Sequence, residues 1–317
     1  MNNPRRVFLN RLALITGAAA LSKPLTAAAA ITKKINTLHT AKSAVIIYHT
    51  NDLNGKIDAV YKNVGGLRHV KNLLKNQEAN GLLLDAGGFI NASDSPVQQK
   101  QAIEMMNAIG YHAAAVGEQE LLNGQGHLAS LIPLMQFTLV NCNLQFDNNL
   151  GGLIKPYIII NSGKYKIGIT GVCRQVKGVT YTDAIASANN VARLLKEDKK
   201  CDLIIVLSHL GHNRKGNIPD NQKLAEESEN IDMIIGGQNS KLFSNTFIFK
   251  NRLKHEVILA QTAWNGLTLG RTVISLDNEK QKNGISAKHF IPGLPGNQPF
   301  TPSFAGLQHD KNLYLSA

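Results

Sequence analysis

The chain is short of sulfur, of aromatic rings and of long apolar runs, and each shortage closes off a class of explanation. Its three cysteines, Cys142, Cys173 and Cys201, form no CxxC pair, so neither a disulfide-stapled mini-fold nor a thiolate metal knot is expected. They lie inside or beside apolar runs and read first as small buried hydrophobes; a disulfide between two of them is the alternative in an oxidising compartment. No stretch approaches the roughly 18 to 20 uninterrupted apolar residues of a membrane span, so none is expected. Aromatics are only 6% of the residues, and Lys and Arg are spread among Asp and Glu without a ring-interleaved basic stripe. Nucleic acid is therefore not an expected partner, in spite of a net charge of +12. There is no internal repeat and no low-complexity block.

What the amino terminus does carry is an export pattern. Arg5-Arg6 precede Val7, Phe8 and Leu9, a weakly apolar stretch runs from Leu12 to Leu21, and small residues from Thr26 to Ala30 follow. The Arg-Arg-x-Phe-Leu order resembles a twin-arginine signal, the address of proteins exported already folded, with an ordinary secretory signal as the alternative. Cleavage is expected near Ala28 to Ala30, and no cysteine follows the apolar stretch to take a lipid. Loss of residues 1–30 removes Arg5, Arg6, Arg11 and Lys23 and no acidic residue, so the net charge of +12 falls to +8. A periplasmic protein with a mild preference for anions is expected.

A polar lead-in over residues 31–42 gives way to short apolar runs alternating with amphipathic segments of helical length, the pattern of strand-helix-strand units. Strands are predicted at Ala44 to His49, Gly81 to Asp85, Ala113 to Val116, Thr138 to Asn141, Asp202 to Ser208 and Ile231 to Ile235. Tyr157 to Ile160 and Lys166 to Val172 form a predicted hairpin about Ser162-Gly163. Helices are predicted from Gly66 to Glu78, from Pro96 to a stop at Gly110, from Thr182 to Lys196 and from Asn221 to Ser228. Phe247 to Phe249, Val257 to Ala260 and Leu267 to Leu276 complete the strands. With 43% hydrophobic residues the chain can bury one large core or two smaller ones.

Four strand-end loops carry the chemistry: HTNDLNG (His49 to Gly55), LLLDAGG (Leu82 to Gly88), AVGEQE (Ala115 to Glu120) and IIGGQNS (Ile234 to Ser240). In a parallel α/β sheet such carboxyl-end loops converge on the ligand crevice. Together with GGLRHVKNLL, MMNAIGYHAAAVGEQEL, VLSHLGH and IDMIIGGQNS, in this order and spacing, they make Ser43 to Asp277 resemble the 5'-nucleotidase branch of the calcineurin-like metallophosphoesterases. The resemblance implies an α/β fold, a four-layer αββα sandwich of two mixed sheets flanked by helices, over residues 43–290 with a loop tail at 291–317. It also implies a two-metal phosphohydrolase ancestry.

Two-metal phosphoester hydrolysis needs a bridging carboxylate, further oxygen and imidazole ligands, and a group to stabilise the transition state. By the resemblance, Asp52 and Asn54 stand at first-ion ligand positions, the second with an amide where an imidazole is usual. An amide is the poorer transition-metal ligand. Gly88 stands where the bridging Asp belongs, with Asp85 or Asp94 as conceivable substitutes. Glu118 stands at a second-ion position and Gln119 at the catalytic His position, where it can neither carry a charge nor move a proton at neutral pH. His209 keeps the family residue, with His212 either its satellite or a plain loop histidine, and Gln238 and Ser240 replace the last two imidazoles. Only Asp52 and His209 are retained, and each has a plainer alternative: a turn former and a hydrogen-bonded buried histidine. Asn107, Gly110 and Tyr111 read as structural.

An exported, catalytically impaired relative acting by binding is therefore expected. Its partners would be a phosphorylated small molecule, an active homologue or a separate nucleotide-binding chain. The chain continues only about forty residues past Asp277, too few for the second, nucleotide-binding domain of larger family members. The alternatives are a weak phosphoesterase and a structural or assembly subunit. The former would use one Mn, Mg or Ca ion held by Glu118, His209 and Gln238, with Asp52 orienting water; the family uses two ions.

Overall fold

The computed structural model describes residues 37–38, 44–77, 81–148, 150–212, 214–238 and 245–294. The export signal, most of the lead-in, Ser240 and the tail beyond residue 294 lie outside the described residues. In chain order the first half comprises β1 (Thr37–Leu38), β2 (Ala44–Thr50), α1 (Gly66–Leu74), β3 (Leu82–Asp85), α2 (Pro96–Ile109), β4 (Ala113–Ala115), α3 (Gln125–Leu131), β5 (Thr138–Val140) and β6 (Leu144–Gln145). The second comprises β7 (Tyr157–Ser162), β8 (Tyr165–Cys173), β9 (Thr180–Tyr181), α4 (Ala184–Glu197), β10 (Leu203–His209), α5 (Asn221–Glu227), β11 (Met233–Gly236), β12 (Asn245–Lys250), β13 (Glu256–Gln261), β14 (Leu269–Leu276) and β15 (Lys282–Phe290).

Local chemistry explains most boundaries. Ser95 caps α2 through a capping box with Gln98, Pro96 occupies the first turn, and Gly110 ends the helix at φ 93. α1 stops at Leu74, earlier than the predicted Glu78, because Lys75 and Asn76 are exposed and present nothing apolar to the core. The hairpin is tighter than predicted: β7 and β8 pair up to Ser162 and Tyr165, so the turn is Gly163-Lys164, with Gly163 at φ 60 as a two-residue hairpin requires. α3 and β15 escaped sequence reading; α3 is one short helix with only Leu128 and Leu131 buried, and β15 is a mostly polar edge strand paired to β14.

The strands form two large mixed sheets, ordered β1-β7-β8-β10-β11-β13-β12 and β15-β14-β2-β3-β4-β5. Period-two alternation sorts their side chains into layers. Val45 and Ile47 of β2 join Ile205, Leu207, Ile235 and Ile258 between the sheets. Ile46 and Tyr48 face the other way, against Leu67 and Val70 of α1 and Ile103 and Met106 of α2. Behind the sheet that contains β10, Ile204 and Val206 pack on Ala188 and Leu195 of α4 and Leu224 of α5. The result is the expected αββα order. Burying one such aliphatic side chain contributes roughly 1.5–3 kcal/mol, so the inter-sheet layer carries much of the stability. Cys173 and Cys201 are buried, Cys142 half-buried, and all three are free thiols.

Parallel pairing brings the carboxyl ends of β2, β3 and β4 in one sheet, and of β8, β10, β11 and β13 in the other, to a common edge. That edge is where the loops singled out in the sequence meet.

Just beneath it, His49 is fully buried between the sheets, with no hydrogen-bond partner on either ring nitrogen. Its ring lies edge-on to His289, 6.2 Å between centroids. Burial, and secondarily the His289 charge, lowers its pKa to about 3; burial likewise lowers that of His289 to about 4. A histidine with a depressed folded pKa stabilises fully above its unfolded value of roughly 6.5 and loses that contribution as pH falls toward the folded value. Buried Asp85 and Glu120, whose pKa values are raised, act in the opposite sense, so the contribution of His49 is read as a difference. His49→Leu is expected to match the wild type in urea midpoint at pH 7 and to gain on it steadily between pH 6.5 and 4. Parallel midpoint profiles for the two proteins would refute this.

Candidate functional site

The first loop turns sharply at its acidic residue. Asp52 adopts φ 51 and Asn54 φ 48, left-handed conformations that Asp and Asn tolerate better than most residues. The turn is sewn down by backbone bonds, Asp52 N to the Gly87 carbonyl (2.9 Å), Asn54 N to that of Gly88 (2.8 Å) and Asn265 N to that of Asp52 (2.7 Å). The Asn54 amide donates to the Asp52 carbonyl and to Asn265 Oδ1 at 3.0 and 2.9 Å. Asn54 therefore serves the loop's own conformation. Asn51, unremarked in the sequence, is buried and bridges to Thr262 while donating to Asp52 Oδ2 at 2.8 Å.

His209 ends β10 inside a cage of glycines. A Cβ added to Gly87, Gly88, Gly117 or Gly237 would come within 2.9–3.1 Å of its ring. The imidazole is 1% exposed. Its Nδ1 lies 3.0 Å from the Ala86 carbonyl, which can only accept, so Nδ1 carries the proton. Its Nε2 then faces Asp52 Oδ1 at 3.8 Å. Asp52 and His209 are thus brought together from opposite sheets. Gly88 lies against both: a Cβ there would be 3.1 Å from Asp52 Oδ1 and 3.1 Å from His209 Cε1.

The other expected residues are engaged within the protein. Glu118 pairs with Arg174, Gln119 Oε1 accepts from Ala92 N at 3.2 Å, and Gln238 Oε1 accepts from Arg214 Nη2 at 2.7 Å. The Gln238 backbone N–H lies 2.8 and 3.1 Å from the two Asp52 oxygens. Asp85, a conceivable substitute bridge, instead accepts from Thr50 Oγ1 (2.6 Å) and Gly87 N (2.8 Å), and Thr50 also bonds the Tyr111 hydroxyl. Asp94 lies by Gly55. His212 stacks on Phe247, and Asn107 ties Leu134 to Gln136.

This donor set does not fit two metal ions. Gly88, where the resemblance puts a bridging carboxylate, has no side chain, and the Asp52 carboxylate, Glu118 and Gln238 are already bonded to protein donors. Among the described residues no group of three or more His, Cys, Asp or Glu is arranged around a common point as a metal would require. The trio of Asp52, Glu118 and His209 named from the sequence is therefore only partly assembled, because Glu118 turns to Arg174. The single-ion set of Glu118, His209 and Gln238 is likewise divided by the two arginines.

Glu120 is the residue that sequence reasoning undervalued. It is fully buried, and its carboxylate accepts the backbone N–H groups of Gly117 (2.8 Å), Gly88 (3.0 Å) and Ile90 (3.2 Å). Burial raises its pKa, against the lowering by His209 and by these bonds. Its place three residues after a glycine in a strand-end loop was the available signal. Glu120→Ala leaves three buried donors unmatched, an expected loss of about 3 kcal/mol or more, and should lower the melting midpoint by roughly 6–12 °C. A shift of only a degree or so would show that the loops are held otherwise.

No family model matches the chain. It is 24% identical over 276 residues to the trifunctional nucleotide phosphoesterase protein YfkN of Bacillus subtilis, covering 74% of this chain and 18% of that protein. To the 5'-nucleotidase of Vibrio cholerae it is 28% identical over 221 residues, 62% of this chain and 40% of the enzyme. Its alignments thus span less than half the length of these curated relatives. Among solved structures, a 5'-nucleotidase precursor from Thermus thermophilus superposes with a TM-score of 0.71 at 22% identity, over 84% of this chain and 57% of that one. The calcineurin-like phosphoesterase YfkN of Bacillus subtilis superposes at 0.62 and 21% identity, over 86% of this chain and 98% of that chain. The αββα fold, the order of its strand-end loops and these relatives make the chain similar to the 5'-nucleotidases and calcineurin-like phosphoesterases.

Proposed function

We propose that residues 43–290 form a metallophosphoesterase-like domain that binds a phosphorylated small molecule in the loop crevice without the family's two-metal hydrolysis. The observation that carries this reading is Gly88, a residue without a side chain at the bridging position, packed against Asp52 and His209. Gln119 supports it, because an amide bonded to Ala92 N can offer the transition state no proton and no charge. A separate nucleotide-binding chain or an active homologue is a natural partner for such a protein.

The alternative of a weak, single-ion phosphoesterase draws on one feature. A histidine whose Nδ1 is fixed by a carbonyl, with Nε2 turned to a carboxylate, is oriented as metal-binding histidines usually are. Phosphate release from AMP and from an aryl phosphate, with manganese added and protein metal content measured, separates the readings. Turnover below about one-thousandth of that of the Vibrio enzyme is expected, since losing a transition-state group alone costs on the order of 10²–10³. Bound metal with turnover that Asp52→Ala or His209→Ala abolishes would establish the single-ion enzyme instead.

We also propose export by the twin-arginine route, on the Arg5-Arg6-Val7-Phe8-Leu9 order. No helix among the described residues is long and apolar enough to cross a membrane. Replacing Arg5 and Arg6 by lysine should leave the protein in the cytoplasmic fraction of a bacterial host that uses this route. Unchanged periplasmic recovery would point to an ordinary secretory signal.

A further inference from the structure

The two residues flanking His209 are each held by an arginine. Glu118 follows Gly117 and Gln238 follows Gly237, and an added Cβ on either glycine would lie 2.9 Å from the His209 ring. Arg174 reaches Glu118 from the end of β8, where its predecessor Cys173 is in register with His209 and its own N–H points to the His209 carbonyl. Arg214 reaches Gln238 Oε1 at 2.7 Å from the loop after β10. That loop is pinned by Arg214 N–H to Asp220 Oδ2 at 2.9 Å, Asp220 being the N-cap of α5. Arg214 Nε also crowds Gly211, where a Cβ would meet it at 3.1 Å. The two guanidinium groups therefore bond residues on either side of His209, at positions where the family resemblance implies contact with an ion.

Their charges are not spent equally. Arg174 is matched by Glu118, yet its Nε is buried without a hydrogen-bond partner. Arg214 is bonded to a neutral amide, and among the described residues no ion pair involves its guanidinium. Asp52 faces His209. Glu120 and Asp85 are buried and already accept protein donors, the backbone N–H groups of Gly88, Ile90, Gly117 and Gly87 and the Thr50 hydroxyl. Guanidinium is permanently charged, offers a planar fork of donors and suits phosphate oxygens.

We infer that Arg174 and Arg214 take the electrostatic place of divalent ions, so that the crevice beside His209 binds a phosphate-class oxyanion without metal. This rests on the ligand-binding reading above and adds to it which residues supply the charge. Arg214 is the principal partner of the anion; Arg174 holds Glu118 aside and contributes its remaining donors.

The test is calorimetric titration of the mature protein with inorganic phosphate and with AMP, in EDTA and then with manganese. Binding in EDTA, unchanged by manganese, is expected, with Arg214→Gln weakening it at least tenfold and Arg174→Gln severalfold. Arg252→Gln, on the outer face beside Glu227, should leave it unaltered. Should Arg174→Gln fold poorly because Glu118 loses its partner, the double variant Arg174→Gln/Glu118→Gln restores a neutral pair and should bind as weakly. Binding that appears only with manganese overturns the inference. Binding in EDTA that survives both arginine substitutions also overturns it, while the ligand-binding reading stands. No binding of phosphate or AMP under either condition removes both.

Discussion

The close packing of glycine backbone around one buried imidazole is the constraint on which the crevice depends. His209 is inserted between the loops of both sheets, and the loops can approach it only because residues 87, 88, 117 and 237 have no side chains. Protein interiors are packed at crystal-like density, so a methyl group at any of these positions would push the loops apart. The approach leaves many backbone donors buried at the sheet edge. Glu120 accepts three of them and Asp52 a fourth, from Gln238. Two carboxylates thus hold together loops from β2, β3, β4 and β11.

That arrangement shows how the loops can converge with amides and glycine among their residues. A crevice organised by metal ions would lose its order when imidazoles become amides, because convergent oxygens with no cation between them repel. Here the positive charge stands on Arg174 and Arg214 and on backbone N–H groups, and the side chains of Asp52, Asn54, Glu118, Gln119, His209 and Gln238 each have a protein partner. The loops keep strained conformations as well, with Asp52, Asn54, Gln238 and Asn265 all at positive φ. Such strain persists only where surrounding bonds over-determine it, and the hydrogen bonds from Asn51, Asn54 and Asn265 do so.

Much of the fold was readable in advance, for identifiable reasons. α2 is marked by Ser95-Pro96 at one end and Gly110 at the other, and its boundaries agree with expectation within a residue. The buried parallel strands are continuous apolar runs of the right length. α3 and β15 were missed because their signals are weak: a seven-residue helix has little room for periodicity, and an edge strand such as Lys-Asn-Gly-Ile-Ser-Ala-Lys-His-Phe need bury only one end. In the crevice, Asp52, Gly88 and His209 could be located from loop order. Arg174 and Arg214 could not, since an arginine after a strand is ordinarily a solvated residue and neither falls on a family ligand position.

The sequence by itself determined the layer order, the convergence of the strand-end loops and the residue types that stand in them, because these follow from periodicity, chain order and the chemistry of single residues. Tertiary structure decided which groups satisfy one another: that Glu118 turns to an arginine, that Asp85 bonds Thr50, and that Glu120 gathers amides from two loops. Apart from Gly117–Glu120, these pairings join residues 30 to 56 positions apart in the chain. Such partners are selected by desolvation and proximity in the folded state, where a buried polar group must take whatever complementary atom lies within about 3 Å.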